Sequence, residues 1–343
     1  MEKGAIVAVA LIEFHHTLGP NVQQIYPQSF TNHLSHAWKN LAFFSLPEGS
    51  HQKSAEHVYF HLPVTKEMDL PDQSCLFAVS CIAQIPVSQL APISVTKEIT
   101  RSSIQKAIVV VSTNPANSFV KSKVEIALRA YMKQDDLTDT KILEEVYQML
   151  NSKAFSADMF LDGTVLRTIV PLYKSNILLL FKLMLLEKRI VIYSAYSGTL
   201  SQVVHSLMSL LPAIDLSITN SVPRHSSATC QLIPPRESKH TQSNGLPLVI
   251  FDRDNAVLQP YIPLNEIDYV CTKSLNHFLI GITNTILLKV EFFNYDVFFN
   301  VDTGVIDLKD QDDFVLSTND NHFIEEICLY LSQFPDDLEL KMK

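Results

Sequence analysis

Between Asn176 and Leu211 the chain is apolar in a pattern that changes period twice. From Ile177 to Leu186 the only polar residue is Lys182, which predicts a helix apolar on nearly every face and therefore enclosed by other elements. Ile190–Tyr193 is a short β-branched run and predicts a buried strand. Leu200, Val203, Val204, Leu207, Met208 and Leu211 then recur at helical spacing along one stripe, and Pro212 closes the run. Helix, strand and helix without gaps predict an α/β core. The first run falls short of the ~20 apolar residues that a membrane helix needs, and Glu187-Lys188-Arg189 ends it.

The rest of the chain is read around that core. Ala5–Phe14 is almost continuously apolar, as a strand covered on both faces would be. The turn residues His15–Asn21 then allow Val22–Tyr26 to return antiparallel. Leu34, Trp38 and Leu41 suggest a short helix. Val58–Leu62, Cys75–Ile85 and Ile108–Ser112 read as strands, with Lys66–Asp72 a polar loop. Asn114-Pro115 opens a helix whose buried face is Val120, Val124, Ala127, Leu128 and Tyr131. A second helix begins near Thr138, with Ile142, Val146, Met149 and Leu150 on one face. Beyond Leu216, Thr219–Gly245 is rich in Pro, Ser and Thr and reads as a linker or loop. Leu246–Phe251 and Ala256–Ile262 suggest a hairpin, Pro263–Val270 a short helix, and His277–Gly281, Ile286–Val290, Tyr295–Val301 and Val305–Leu308 further strands. A last helix carries Phe323, Ile327 and Leu331 and stops at Pro335, leaving the charged tail Asp336–Lys343.

The expected class is therefore mixed α/β and α+β in two lobes. Residues 1–135 form an α+β lobe, 136–218 and 246–343 an α/β core lobe, and 219–245 a flexible linker. A length of 343 residues suits two domains or one large bilobed one, and 47% hydrophobic residues exclude a mostly disordered chain. With 27 basic against 36 acidic residues, the net charge of −9 disfavours nucleic acid as a partner. Five scattered cysteines without a Cys-x-x-Cys pair fit reduced thiols in a cytosolic protein. The apolar Ala5–Ile12 superficially suggests a signal peptide, but Glu13-Phe14-His15-His16 stands where a small-residue cleavage site would be.

Candidate chemistry is sparse. The eight glycines form neither a phosphate-binding nor a dinucleotide-binding loop, and there is no Gly-x-Ser-x-Gly or His-Glu-x-x-His. Asp302-Thr303-Gly304 matches the aspartic-protease tripeptide, but that chemistry needs two such carboxylates and there is one copy, so a hairpin turn is the better reading. His57 and His61 stand four apart in a strand, about 13 Å, too far to share a metal. His33 and His36 could meet on a helix but lack further ligands nearby. No catalytic residue, metal or cofactor is assigned. His15-His16, at the end of the first strand, read either as a binding loop or as a polar turn. Lys188 and Arg189 read first as complements to a helix dipole, and second as partner contacts.

Phe181–Ser194, Phe-Lys-Leu-Met-Leu-Leu-Glu-Lys-Arg-Ile-Val-Ile-Tyr-Ser, resembles the central signature of DENN-domain proteins. Phe14–Pro20 with Ile25-Tyr26-Pro27, Phe60–Pro63, and Leu246-Pro247-Leu248 running to Pro260-Tyr261 resemble the Avl branch of that family, linked to late secretory traffic. Leu46-Pro47-Glu48-Gly49 and Gly281-Ile282-Thr283-Asn284 fit as well. The resemblance implies a longin-like first lobe and an α/β DENN core lobe with a Rab-type small GTPase docked between them. It also implies a cytoplasmic protein peripherally recruited to Golgi, endosomal or secretory membranes, which promotes guanine-nucleotide exchange. The partner-binding residues taken from these segments are His15, His16, Gly19, Pro20, Lys188, Arg189, Thr283 and Asn284. One departure stands out. Leu210-Leu211 is followed by Pro-Ala-Ile-Asp where exchange-competent relatives carry an aromatic-containing Pro-Phe-x-Trp segment, which favours a non-catalytic scaffold as the alternative.

Overall fold

The computed structural model describes residues 4–35, 37–64, 68, 70, 75–90, 102–153, 155, 159, 164–211, 256–271, 275, 277–309 and 314–333. Its two five-stranded sheets, with helices on both, place it in the mixed α/β and α+β class. The expected linker at 219–245, the expected strand Leu246–Phe251, the segment after Leu211, most of the expected Lys66–Asp72 loop and the tail Asp336–Lys343 lie outside the described residues.

The first sheet is antiparallel. β1 (Ile6–His15), β2 (Gly19–Tyr26), β3 (Ala55–Pro63), β4 (Cys75–Pro86) and β5 (Ser103–Ser112) run in the order β2-β1-β5-β4-β3. Ile6–Ile12 of β1 is buried throughout, as its continuous apolar run requires, and so is Ile104–Val111 of β5, whose buried Lys106 pairs with Glu13 at 2.6 Å. One face carries α2 (Asn117–Lys133) and α3 (Lys141–Asn151), which bury the expected Val120, Val124, Ala127, Leu128 and Tyr131. The Leu34–Leu41 stretch is not one helix. A 3-10 helix at Gln28–Ser35 is followed by α1 (Leu41–Ser45), and Trp38 between them is buried with its indole N–H on Pro63 O at 3.1 Å. Two helix starts also shift. α2 begins at Asn117, beyond Pro115, and α3 begins at Lys141, where Asp139 Oδ1 accepts the Lys141 N–H. The α3 core face is Leu143, Val146 and Leu150, while Met149 turns outward.

The second sheet is built on α4 (Leu166–Tyr173), α5 (Ser175–Leu185), β6 (Arg189–Tyr193), α6 (Ser197–Met208), β7 (Ala256–Gln259), α7 (Ile267–Val270), β8 (His277–Ile282), β9 (Val297–Asn300), β10 (Val305–Leu308) and α8 (Thr318–Gln333). Its order is β10-β9-β6-β8-β7, with β9, β6, β8 and β7 mutually parallel and β10 closing an antiparallel hairpin. Asp302-Thr303-Gly304 is that hairpin's turn, with Gly304 at φ +71°. Ile286–Val290, expected as a strand, is instead largely a 3-10 turn at Thr285–Lys289. The Asn284 side chain accepts the Ile286 N–H at 3.0 Å and so bends the chain out of extended form. On α8 the buried residue is Ile324, and Phe323 is exposed.

The expected central helix is α5, and the structure corrects its role. Ile177, Leu178, Leu180, Leu183 and Met184 are buried, but Leu186 just past its end is 56% exposed, and Lys182 pairs with Asp320 of α8 at 2.6 Å. The most enclosed helix is α6, with ten of its twelve residues buried, Leu200 through Met208 almost all among them. It packs on β3 of the first sheet and on β6 and β8 of the second. As a result the largest apolar cluster runs without a break from Ala8, Ala10 and Phe60 through Leu183 and Val204 to Leu279 and Phe299. No single helix among the described residues is long and apolar enough to cross a membrane; α4 and α5 together approach that composition but meet at a 109° bend at Lys174, itself at φ 45°.

The close approach of α6 to the second sheet depends on Gly281. A Cβ there would lie 2.0 Å from the backbone oxygen of Pro260 and 3.0 Å from Leu200 Cγ. Gly281→Ala is expected to cost about 1–3 kcal/mol or more through forced backbone displacement. Urea denaturation of the variant checks this, and an unchanged midpoint would show that the seam between β8 and α6 has slack.

Candidate partner-docking surface

In open α/β sheets, ligands commonly sit beyond the carboxyl ends of the parallel strands. Here that edge is filled by the chain's own acidic side chains. Glu48, between Pro47 and Gly49 (φ +84°), reaches across from the first sheet's connections. Its carboxylate accepts the Tyr261 hydroxyl at 2.5 Å, the Leu264 N–H at 2.9 Å and the Thr283 hydroxyl at 3.4 Å. Burial, and next the Glu48 charge, hold the Tyr261 phenol well above its usual range. Asp302 does the equivalent work at the end of β9, accepting the Ser194 hydroxyl at 2.6 Å and the Ala195 N–H at 2.8 Å.

The loop from β6 into α6 is thereby held from both sheets. On the second-sheet side is Asp302. On the first-sheet side, Glu56 accepts the Gly198 N–H at 3.2 Å, and Ser197 Oγ donates to His57 O at 2.9 Å. Lys53 donates to Glu56 at 2.6 Å and to Ala195 O at 3.0 Å, and lies 3.9 Å over the Tyr196 ring. Tyr196 is nevertheless 53% exposed. A well-tethered loop that presents a half-exposed aromatic suits recognition, because little side-chain freedom is lost on binding.

The sequence-derived residues divide. His15, His16, Gly19 and Pro20 stay together in the β1–β2 hairpin. His15 Nδ1 accepts the N–H groups of Thr17 and Leu18, both at 3.3 Å, which makes this histidine the cap of its own turn. Gly19 takes φ +75° and pairs with His15, and Pro20 pairs with Phe14. Lys188 covers the Phe314 ring at 4.7 Å. Arg189 is a two-pronged partner of Asp296, with Nε–Oδ2 at 3.1 Å and Nη2–Oδ1 at 2.6 Å, while its backbone N–H also reaches Oδ2 at 2.9 Å. Thr283 and Asn284 lie at the opposite end of the sheet. Arg189 aligns with Phe278 and Tyr193 with Ile282, so about 15 Å of strand separates the two pairs. Of the eight, Thr283 borders the Glu48 junction and is half-buried there.

Reasoning from sequence missed Lys53, Glu56 and Tyr196 as a group, and Asp302 as a tether. Among the described residues no cluster of three or more His, Cys, Asp or Glu is placed to hold a metal. His57 and His61 are separate, as expected of a strand, and His36 lies outside the described residues.

Residues 6–341 match the family model described as transport protein Avl9. The late secretory pathway protein avl9 of Schizosaccharomyces pombe is 29% identical over 354 residues, covering 99% of this chain and 72% of the relative. The late secretory pathway protein AVL9 of Saccharomyces cerevisiae is 30% identical over 357 residues, covering 95% of this chain and 46% of that longer relative.

Burial alone would raise the Asp296 carboxyl, but the Arg189 hydrogen bonds and charge outweigh it and hold it below its ordinary 3.8. A depressed carboxylate contributes stability that is present above 3.8 and lost as pH falls through its folded value. Arg189→Ala is thus expected to cost about 1–2 kcal/mol at pH 7, given a two-pronged but partly solvated pair, and progressively less below pH 3.8. Thermal melts of both proteins from pH 7 to pH 3 measure this; a difference independent of pH would remove the ion pair as its cause.

Proposed function

The chain belongs to the Avl9 transport-protein family, and on that premise we propose that it regulates late secretory traffic by binding a Rab-type small GTPase and promoting GDP release. The naming of the family and its relatives for late secretory transport and the DENN-like run Phe181–Ser194 both support this reading. In it, the first sheet corresponds to a longin-like lobe and the second to a DENN core lobe, and the protein works on the cytoplasmic face of Golgi, endosomal or secretory membranes. The observation that carries the docking site is the Ser194–Gly198 loop, tethered from both sheets by Asp302, Glu56 and Lys53 with Tyr196 turned outward.

Exchange of this kind needs no proton transfer by the regulator. A surface that binds the nucleotide-free GTPase more tightly than the GDP-bound one accelerates GDP loss by that difference alone. A rigid surface is suited to this role, because it selects one GTPase conformation instead of adapting to both.

A second reading, a scaffold that holds the GTPase without accelerating release, is favoured by Pro212-Ala213-Ile214-Asp215, which lacks the aromatic-containing segment of exchange-competent relatives. Fluorescent GDP release from a panel of Rab GTPases separates the two. The exchange reading expects acceleration of at least one member and a loss of about 30-fold in Tyr196→Ala, the size of an interface hot spot. Capture of a GTPase with an unchanged GDP off-rate would leave the scaffold; neither capture nor acceleration across the panel would sink both.

A further inference from the structure

The seam between β3 and its neighbours on the second sheet gathers three histidines. His57 and His61 come from β3 and His205 from α6. His61 is buried; its Nδ1–H donates to Leu258 O at 3.0 Å, and Gln259 of β7 both accepts its backbone N–H at 2.7 Å and donates to its backbone oxygen at 3.1 Å. His205 is buried beside the Tyr59 ring at 6.2 Å, with Asn117 of α2 at 3.4 Å from its Nδ1. The His57 ring is pressed on the α6 backbone so closely that a Cβ on Gly198 would lie 2.4 Å from its Cε1. Its Nε2 is sealed from solvent without a hydrogen-bond partner among the described residues.

We propose that His57 and His61 make the seam an acid-sensitive latch, closed while their imidazoles are neutral and released as they take up protons. The surroundings offer charged rings little compensation. Around His57 stand Tyr59 on its own strand, Cys81 opposite it on β4, Lys121, Glu125 and Arg129 of α2, and Glu56. Lys121 repels a second positive charge, and it also pairs with Glu125 at 3.8 Å. Glu56 is already shared by Lys53 and the Gly198 N–H. Around His61 stand Phe77 of β4, Leu258 and Gln259 of β7, and His205 of α6, none of them acidic.

Desolvation by burial lowers both His57 and His61 from 6.5 to about 3, with Lys121 adding to the first; for the second the Leu258 bond opposes burial and His205 reinforces it. A lowered histidine contributes stability that is present above 6.5 and lost as pH falls toward its folded value, so the working window lies between 6.5 and about 3. At pH 5 each ring should multiply the opening constant of the seam about 25-fold over pH 7, about 600-fold for two.

Hydrogen exchange of the full chain at pH 7.5 and pH 5.0, corrected for intrinsic rates, tests this. The expected result is faster relative exchange in β3, α6 and β7 at pH 5.0, with β1 and β5 unchanged. A uniform rise over both sheets, or no rise, overturns the latch. The double variant His57→Gln, His61→Gln should lose most of the acid response, and retention of the full response would count against the proposal. If that variant does not fold, nitrogen-15 shifts of the wild-type rings decide. Both rings should stay neutral at pH 5 in the closed state, and a ring titrating near 6.5 while the seam stays closed overturns it.

Discussion

Helix α6 buries all but Thr199 and part of Gln202, and most of the architecture follows from that. A helix so largely buried must leave its neighbours room and must give its buried polar groups partners inside the protein. Small residues provide the room. Gly198 lets the His57 ring touch the helix backbone, and Gly281 lets β8 pass against Leu200. The buried serines provide the partners: Ser197 donates to His57 O, Ser201 to Gly198 O, and Ser206 to Gln202 O while accepting the Val165 N–H. Because β3 lies on one side of α6 and β6 and β8 on others, the two sheets share a core instead of owning separate ones.

Much of this order was legible in the residues. Strands β1 to β6, the β9–β10 hairpin and the apolar stripe of α6 all announce themselves by period and composition, because each is governed by its own local burial pattern. The errors have a common origin too. Helix α5 has more consecutive apolar residues than α6, so hydropathy ranked it as the central helix. Enclosure is a property of the neighbours, however, and the serines and glycine that allow α6 to be enclosed lower its apparent hydrophobicity. Ile286–Val290 failed for a different reason, since one Asn284 side-chain hydrogen bond outweighed a β-branched start.

The candidate surface was less legible than the fold. Lys53, Glu56, Tyr196 and Asp302 are distributed over 250 positions of sequence, and none sits in a motif of matching chemistry. Asp302 drew notice for resembling a protease residue, whereas its carboxylate serves as a double acceptor for the Ser194–Ala195 turn. Arg189 and Lys188 drew notice as complements to a helix dipole. Asp296 and Phe314, which take them up, are more than 100 residues away, a pairing that only the parallel register of β6 with β9 creates.

Glu48 has a consequence for what this molecule can bind. Its carboxylate is covalently tethered a few ångströms from the Tyr261 hydroxyl, the Leu264 N–H and the Thr283 hydroxyl. A group held on so short a tether acts as a competitor at an effective concentration on the order of millimolar or above. A small acid or phosphate arriving from solution would have to displace this internal ligand to use those donors. The strand ends that often receive a diffusible ligand here fasten one part of the chain to another.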